Sequence, residues 1–312
     1  SGVDTPAYTD EAVVSFTTAG SVPLGGFIRV VLPAVTSVQA GWVIASDATY
    51  TFDEPSVGRP VTSSSPSPVV SEEGRNVYFA IESNAIGQDS TVVFKISSLT
   101  TPTKQLGVAS ATAITTYDSS GNIIDSVSDV STDAIEEGVL TGVKRVDSAV
   151  DTPAYTDEAT VSFTTRGSVP VGGYIRVVLP DVASVQAGWV VSSGADVVFS
   201  SPSSNVPLLS GSVELSDGDR NMRFMISEHA IDQDTVVSFT VHNLTTPTKQ
   251  VAVALATAIT TYDSEANIID SVSDVKTDAM AQGVLTGVKR VDSAVDTPAY
   301  TDEATVSFTT RG

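Results

Sequence analysis

Apolar and polar residues alternate with period two through most of the chain, the pattern of strands with one buried face. In ATVSFTT, Ala159, Val161 and Phe163 share one face, and Thr160, Ser162 and Thr164 the other. Ile175, Val177 and Leu179 likewise stand opposite Arg176, and Met222, Phe224 and Ile226 opposite Arg223 and Met225. Val237, Phe239 and Val241 alternate with Ser238, Thr240 and His242. Earlier in the chain, Val77, Phe79 and Ile81, then Val92, Phe94 and Ile96, repeat the arrangement. Further strands are predicted at 188–191, 251–262, 267–272 and 283–291, where Thr, Val and Ile accumulate. SVPVGG, LSDGDRN and TTPTK supply turns between them. Helix is predicted only at TDAIEEG (132–138) and TDAMAQG (277–283), a turn or two each, with Thr or Asp to cap and Gly to stop. About seven to nine short strands per unit predict an all-β fold of tandem immunoglobulin-like β-sandwiches. Trp42 and Trp189 are expected in the cores.

The units are near-copies. Trp42 matches Trp189 at an offset of 147, and Leu99 matches Leu244 at 145. Residues 138–167 and 283–312 are identical throughout. A period of about 145 residues is domain-sized, so each unit is expected to bury its own core, unlike the units of a short-period solenoid. The expected division is repeat 1 at 1–137, repeat 2 at 138–282 and the beginning of repeat 3 at 283–312. GVLTGVKRVDS is assigned as the first strand of the unit that follows it, which leaves repeat 1 without its own. The sequence opens at Ser1 with no signal-peptide pattern, as expected of a window from a longer array. The tail from Gly283 needs a partner, because an isolated hairpin is marginal in water. Continuation of the chain is the favoured completion, and exchange of the tail strand into a neighbour by β-augmentation is the alternative. The copies diverge between Trp189 and Leu244, where Pro, Ser and Gly predominate, so a surface loop or sheet edge is expected there.

Composition narrows the function. The net charge of -21 and pI near 4.2 argue against a nucleic-acid partner, which needs a basic surface. No Cys is present, which removes disulfides, thiolate metal sites and a Cys nucleophile. No apolar run reaches the roughly 18 residues of a membrane span.

The pattern TVSFTT, VP-GG-I-V-LP, LTTPTK and ITTYDS resembles tandem immunoglobulin-like β-sandwich repeats of large secreted and cell-surface fibre proteins of algae and other protists, the mastigoneme-like proteins among them. The resemblance covers both complete units. It implies an extracellular, glycosylated, structural protein, and it brings no catalytic residues.

Residue chemistry points the same way. The two histidines, His229 and His242, have no His counterpart in the first copy, so they read as surface residues rather than general bases. No GxSxG elbow, phosphate loop or HExxH is present, and no enzyme is expected. Asp147, Asp151, Asp157 and Glu158 form the densest acidic group, at the join between units. Calcium takes several oxygen ligands at once, so a stiffening calcium site is one reading and a solvated acidic surface the favoured one. No other cofactor is expected. Asn243-Leu244-Thr245 is an N-glycosylation acceptor. Ser63, Ser64, Ser65 and Ser67, with Ser200, Ser201, Ser203 and Ser204, lie in Ser/Pro-rich stretches like those that carry O-glycans. The expected function is therefore a glycosylated fibre protein whose partners are copies of itself, assembled head to tail. The rival is the stalk or ligand-binding module of an adhesin, with 47–72 and 194–216 as contact loops.

Overall fold

The computed structural model describes residues 3–35, 41–56, 69–71, 74–181, 188–207, 213–216, 218, 220–254, 257–293, 301 and 303–310. Those residues form an all-β chain of two immunoglobulin-like β-sandwiches followed by a hairpin. The first unit contains β1 (Thr9–Thr17), β2 (Phe27–Val31), β3 (Val43–Ile44), β4 (Tyr50–Glu54), β5 (Val69–Ser71), β6 (Asn76–Ala80), β7 (Thr91–Thr100), β8 (Ala109–Tyr117) and β9 (Ile123–Thr132). One sheet runs β1-β7-β3 with β4 also on β7, and the other runs β5-β6-β2-β8-β9.

The second unit repeats this plan with an addition. It contains β10 (Gly138–Val139), β11 (Thr141–Ser148), β12 (Thr156–Thr164), β13 (Tyr174–Val178), β14 (Val190–Val191), β15 (Val197–Ser201), β16 (Glu214–Ser216), β17 (Asn221–Met225), β18 (Val236–Thr245), β19 (Thr257–Tyr262) and β20 (Ile268–Thr277). Strand β11 pairs antiparallel with β12 on one side and parallel with β20 on the other. It therefore joins the two sheets of the sandwich into one path, β14-β18-β12-β11-β20-β19-β13-β17-β16. The final hairpin is β21 (Thr286–Ser293) and β22 (Ala304–Thr309), paired in the register of β11 and β12.

The alternating apolar positions are the cores. Val161, Phe163, Ile175, Val177, Phe224, Phe239 and Trp189 are buried in the second unit, as are Ile28, Val30, Phe79, Phe94 and Trp42 in the first. Each core centres on an edge-to-face aromatic pair, Phe79–Phe94 and Phe224–Phe239, both with centroids 4.7 Å apart. This arrangement suits the ring quadrupole. The divergent segments carry edge strands β4, β5, β15 and β16, where the sheets have room for change.

The helices expected at 132–138 and 277–283 do not form. Both segments are extended, and Ile135 bridges Leu106 while Met280 bridges Val251. Ile135 and Met280 are thereby buried. Burying a large side chain outweighs the weak local preference of so short a segment for helix. Within the strand expected at 251–262, the described strand covers Thr257–Tyr262 and Val251 forms a bridge to Met280, while 255 and 256 lie outside the described residues.

Candidate functional site

The two sandwiches meet in a polar junction built from directional hydrogen bonds. Its base is the turn at Asp4–Tyr8. Thr101 holds that turn from below, its hydroxyl accepting from the Tyr8 amide at 3.0 Å and donating to the Thr5 carbonyl. Ala7 takes a left-handed conformation (φ 53°), as does Ala154 at the matching place in the second unit. An Ala held there is strained, and the carbonyl of Ala7 is aimed outward to accept from the Ser168 amide of the second unit at 2.9 Å.

Side chains complete the junction. The Tyr8 hydroxyl donates to Asp234 Oδ2 at 2.9 Å. Arg166 stacks its guanidinium over the Tyr8 ring at 4.5 Å and pairs with Asp234 at 2.9 Å. The Gln233 amide works in both directions against one backbone residue: its Oε1 accepts from the Thr9 N–H at 2.6 Å and its Nε2 donates to the Thr9 carbonyl at 2.9 Å. Thr103 donates to Asp263 Oδ2 at 2.8 Å in a buried contact. Asp263 is already organised for this, since its carboxylate closes an Asx turn over Glu265 and Asn267.

Two glycines let the backbones approach. A Cβ on Gly167 would lie 2.1 Å from the Pro6 carbonyl oxygen, and one on Gly138 would lie 1.9 Å from Asp270 Oδ1. Asp270 is fully buried here. Its carboxylate accepts from the Arg166 amide at 3.0 Å and the Gly167 amide at 3.1 Å. Burial pushes its pKa up to about 6, against the opposing pull of those hydrogen bonds. The hydrogen bond to Asp234, more than burial, raises the Tyr8 phenol. The matching face at the far end of the second unit, around Thr152, Ala154 and Thr248, borders an open groove of about 440 Å³ against the start of the hairpin.

The four acidic candidates do not converge. Asp147 pairs with Arg145 at 2.9 Å and is raised by burial and by neighbouring Asp278. Asp151 accepts from Ser148, and Glu158 lies 3.4 Å from His242. Asp157 and Glu158 are both exposed, at a register shift in the pairing of β12 with β18. Among the described residues no three acidic or histidine side chains come together as a metal site. His229 and His242 are at the surface.

The glycan acceptors divide. Asn243 is exposed on β18 in a left-handed conformation (φ 58°) at a sheet irregularity, so its side chain faces solvent. Ser200, Ser203 and Ser204 are exposed, and Ser201 is half-buried with its hydroxyl donating to the Val236 carbonyl. Ser63, Ser64, Ser65 and Ser67 lie outside the described residues. No helix among the described residues is long and apolar enough to cross a membrane. Sequence reasoning missed the junction residues Tyr8, Gln233 and Asp234, although the repeated DTPAY was a signal that something at that place is reused.

No family model matches the chain, and no curated protein matches it. Among solved structures, a chain described as BspA_C_WT is 10% identical over 88% of this chain and 92% of its own, with a TM-score of 0.28. The type II cohesin dyad from the adaptor ScaA scaffoldin of Acetivibrio cellulolyticus is 9% identical over 88% of this chain and 97% of its own, with a TM-score of 0.18. Likenesses this slight carry no argument about what the chain binds or builds.

Proposed function

We propose that this chain is a structural module of an extracellular fibre, glycosylated and assembled head to tail from copies of itself. The junction supports the reading: backbone and side-chain hydrogen bonds from Ala7, Tyr8, Thr9 and Thr103 fix one sandwich on the next. A junction with that many directional contacts sets a defined angle, and a defined angle repeated without closure generates a filament. The work is mechanical, and the reading assigns no catalytic residue. The likeness to algal and protist fibre repeats rests on the sequence pattern and belongs to the same proposal. Glycans on Asn243 and the exposed serines would cover strand edges that otherwise invite uncontrolled pairing.

Electron microscopy of the protein in solution tests this. Filaments with an axial repeat of one or two sandwiches support it, and dispersed particles without axial order overturn it. The adhesin reading draws on one observation, the divergence of the copies around the edge strands β4, β5, β15 and β16. It gains if those edges bind a glycan or protein while no filament forms.

A further inference from the structure

The outer face of β17, β13 and β19 gathers arginines and tyrosines in a chain that is acidic as a whole. Alternation decides which side chains stand there. Ile175 and Val177 are buried in the core, so Tyr174 and Arg176 lie on the outside, with Arg223 on β17 and Tyr262 on β19 beside them. All four are half-buried. Tyr174 and Tyr262 stack with centroids 4.4 Å apart, and the Arg223 guanidinium lies over Tyr174 at 3.9 Å. Both faces of the Tyr174 ring are thus covered, and its hydroxyl edge is what it has left to offer. Neither tyrosine hydroxyl has a hydrogen-bond partner among the described residues.

The cations break the usual rule for cross-strand pairs. Arg176 and Arg223 are directly opposed on β13 and β17, and like charges so placed are destabilising. Arg223 has Glu214 at 3.5 Å, yet its Nε is buried without a hydrogen-bond partner. Arg176 is in no ion pair among the described residues, although the chain has 37 Asp and Glu to 16 Lys and Arg. Acids to pair it are plentiful, and none is placed there. Asn221 instead accepts from Arg176 Nε at 2.9 Å. That bond fixes the guanidinium and leaves its two terminal nitrogens for another acceptor. The first unit repeats the device: Arg29 Nε donates to the buried Asn76 at 2.9 Å, beside the stacked pair Phe27 and Tyr117, and Arg29 too is in no ion pair among the described residues.

A guanidinium held by Nε presents two N–H groups side by side, which match the two oxygens of a carboxylate. Strand β13 is paired on both sides, so its backbone offers no edge to a peptide strand. Recognition on this face falls to side chains: a fixed guanidinium for an acid, and the hydroxyls of Tyr174, Tyr262 and Thr260 for other hydroxyls. We propose that the outer face of β13, β17 and β19 binds a carboxylated polysaccharide, with Arg176 holding a uronate carboxylate and the two tyrosine hydroxyls bonding the sugar beside it. Arg29 is the matching hold in the first unit, so a polymer that repeats its carboxylate can engage one chain twice. The residues used are other than those of the junction, and filament formation decides the head-to-tail reading separately.

Titration calorimetry of the full chain with polygalacturonate tests this. Salt of about 0.15 M screens the long-range repulsion between the polymer and the chain's net charge of -21. Binding is expected with polygalacturonate and none with dextran, which is neutral. Arg176→Gln is expected to weaken binding about tenfold, the worth of one charged hydrogen-bonded contact. Arg176→Lys keeps the charge, loses the fork and is expected to weaken it as well. Lys95→Gln removes an exposed cation from the opposite sheet of the first unit and is expected to change nothing. Tyr262→Phe, which deletes only a hydroxyl, carries the test if Arg176→Gln lowers the thermal melt, and a smaller loss of affinity is expected from it. No binding at millimolar uronate, dextran bound as well as polygalacturonate, or equal losses from Arg176→Gln and Lys95→Gln overturns the site. Polyglutamate bound as tightly as polygalacturonate overturns the saccharide, and dextran sulfate bound where polygalacturonate is not overturns the carboxylate.

Discussion

The hydroxyl of Tyr8, in the first sandwich, donates a 2.9 Å hydrogen bond to the carboxylate of Asp234, 226 residues away in the second. Arg166 holds the same carboxylate while lying over the same ring. The three groups form a closed set: the cation neutralises the acid, the ring shields the cation, and the phenol orients the acid. Tyr155 stands at the matching place in the second unit, so the plug is reused. The socket is not fully reused, because the first unit has Ala19 where the second has Arg166.

Tyr8→Phe keeps the ring under Arg166 and removes only the hydroxyl. A net hydrogen bond contributes about 0.5–1.5 kcal/mol, and this one is partly exposed, so the lower half of that range is expected. The loss should loosen the angle between sandwiches rather than unfold either. Small-angle scattering at fixed salt should show a broader distribution of inter-unit distances, with the urea midpoint of the second sandwich unmoved.

Gly167→Ala should act more strongly at the same place. The added Cβ meets the Pro6 carbonyl oxygen at 2.1 Å and Ile269 Cγ2 at 2.7 Å, so one backbone must retreat. Overpacking of this kind costs about 1–3 kcal/mol. The expected signature is faster hydrogen exchange at the Ser168 amide, which bonds the Ala7 carbonyl across the junction, with core amides of β18 unaffected. Gly107→Ala, which meets nothing within 4 Å, is the silent control.

Asp270 makes the second unit and its junction sensitive to acid in an unusual direction. Its folded pKa of about 6 lies above the unfolded value of about 3.9. The folded state therefore holds the proton more tightly, and the stabilisation is fully present below about pH 4 and lost as pH rises through about 6. The difference is on the order of 3 kcal/mol. Asp270→Asn, neutral at every pH, should flatten this contribution. Chemical denaturation of both proteins at pH 4.5 and pH 7.5 measures it, and a wild-type chain no more stable at pH 4.5 relative to the variant refutes the assignment.

What could be read from the sequence was governed by range. Alternation at Ala159, Val161 and Phe163 is a local signal, and those residues are buried as the period requires. The internal repeat was legible because it compares the chain with itself. Ile135 and Met280 were misread because a single β-bridge to a residue some 30 positions away fixes them, and nothing local marks it. The acidic group is dispersed in space for a related reason. Asp147, Asp151 and Glu158 are near one another in sequence, but the fold hands each a different partner: Arg145, Ser148 and His242 respectively. The junction was illegible because Tyr8 and Asp234 become neighbours only after two separate sandwiches have formed.

Asn243→Asp tests the glycan assignment with little structural cost, since Asp also tolerates the left-handed backbone that Asn243 adopts. In a secretory eukaryotic host the wild-type chain is expected to carry one more N-glycan than the variant, read as a mass difference by intact-protein mass spectrometry. Equal masses would remove the N-glycan from the account.

The difference in cover between the two cores should be measurable. Phe163 and Phe16 are counterparts, yet Phe163 is 1% exposed under β11 and Phe16 is half-exposed where no strand covers it. Phe163→Ala should cost about 3–5 kcal/mol, as for a fully buried ring. Phe16→Ala should cost less than about half of that in dilute protein, because the ring's outer face already meets water and less apolar area is lost. Urea unfolding of the two variants, followed by the fluorescence of Trp42 and Trp189, which report on the first and second cores separately, gives both values.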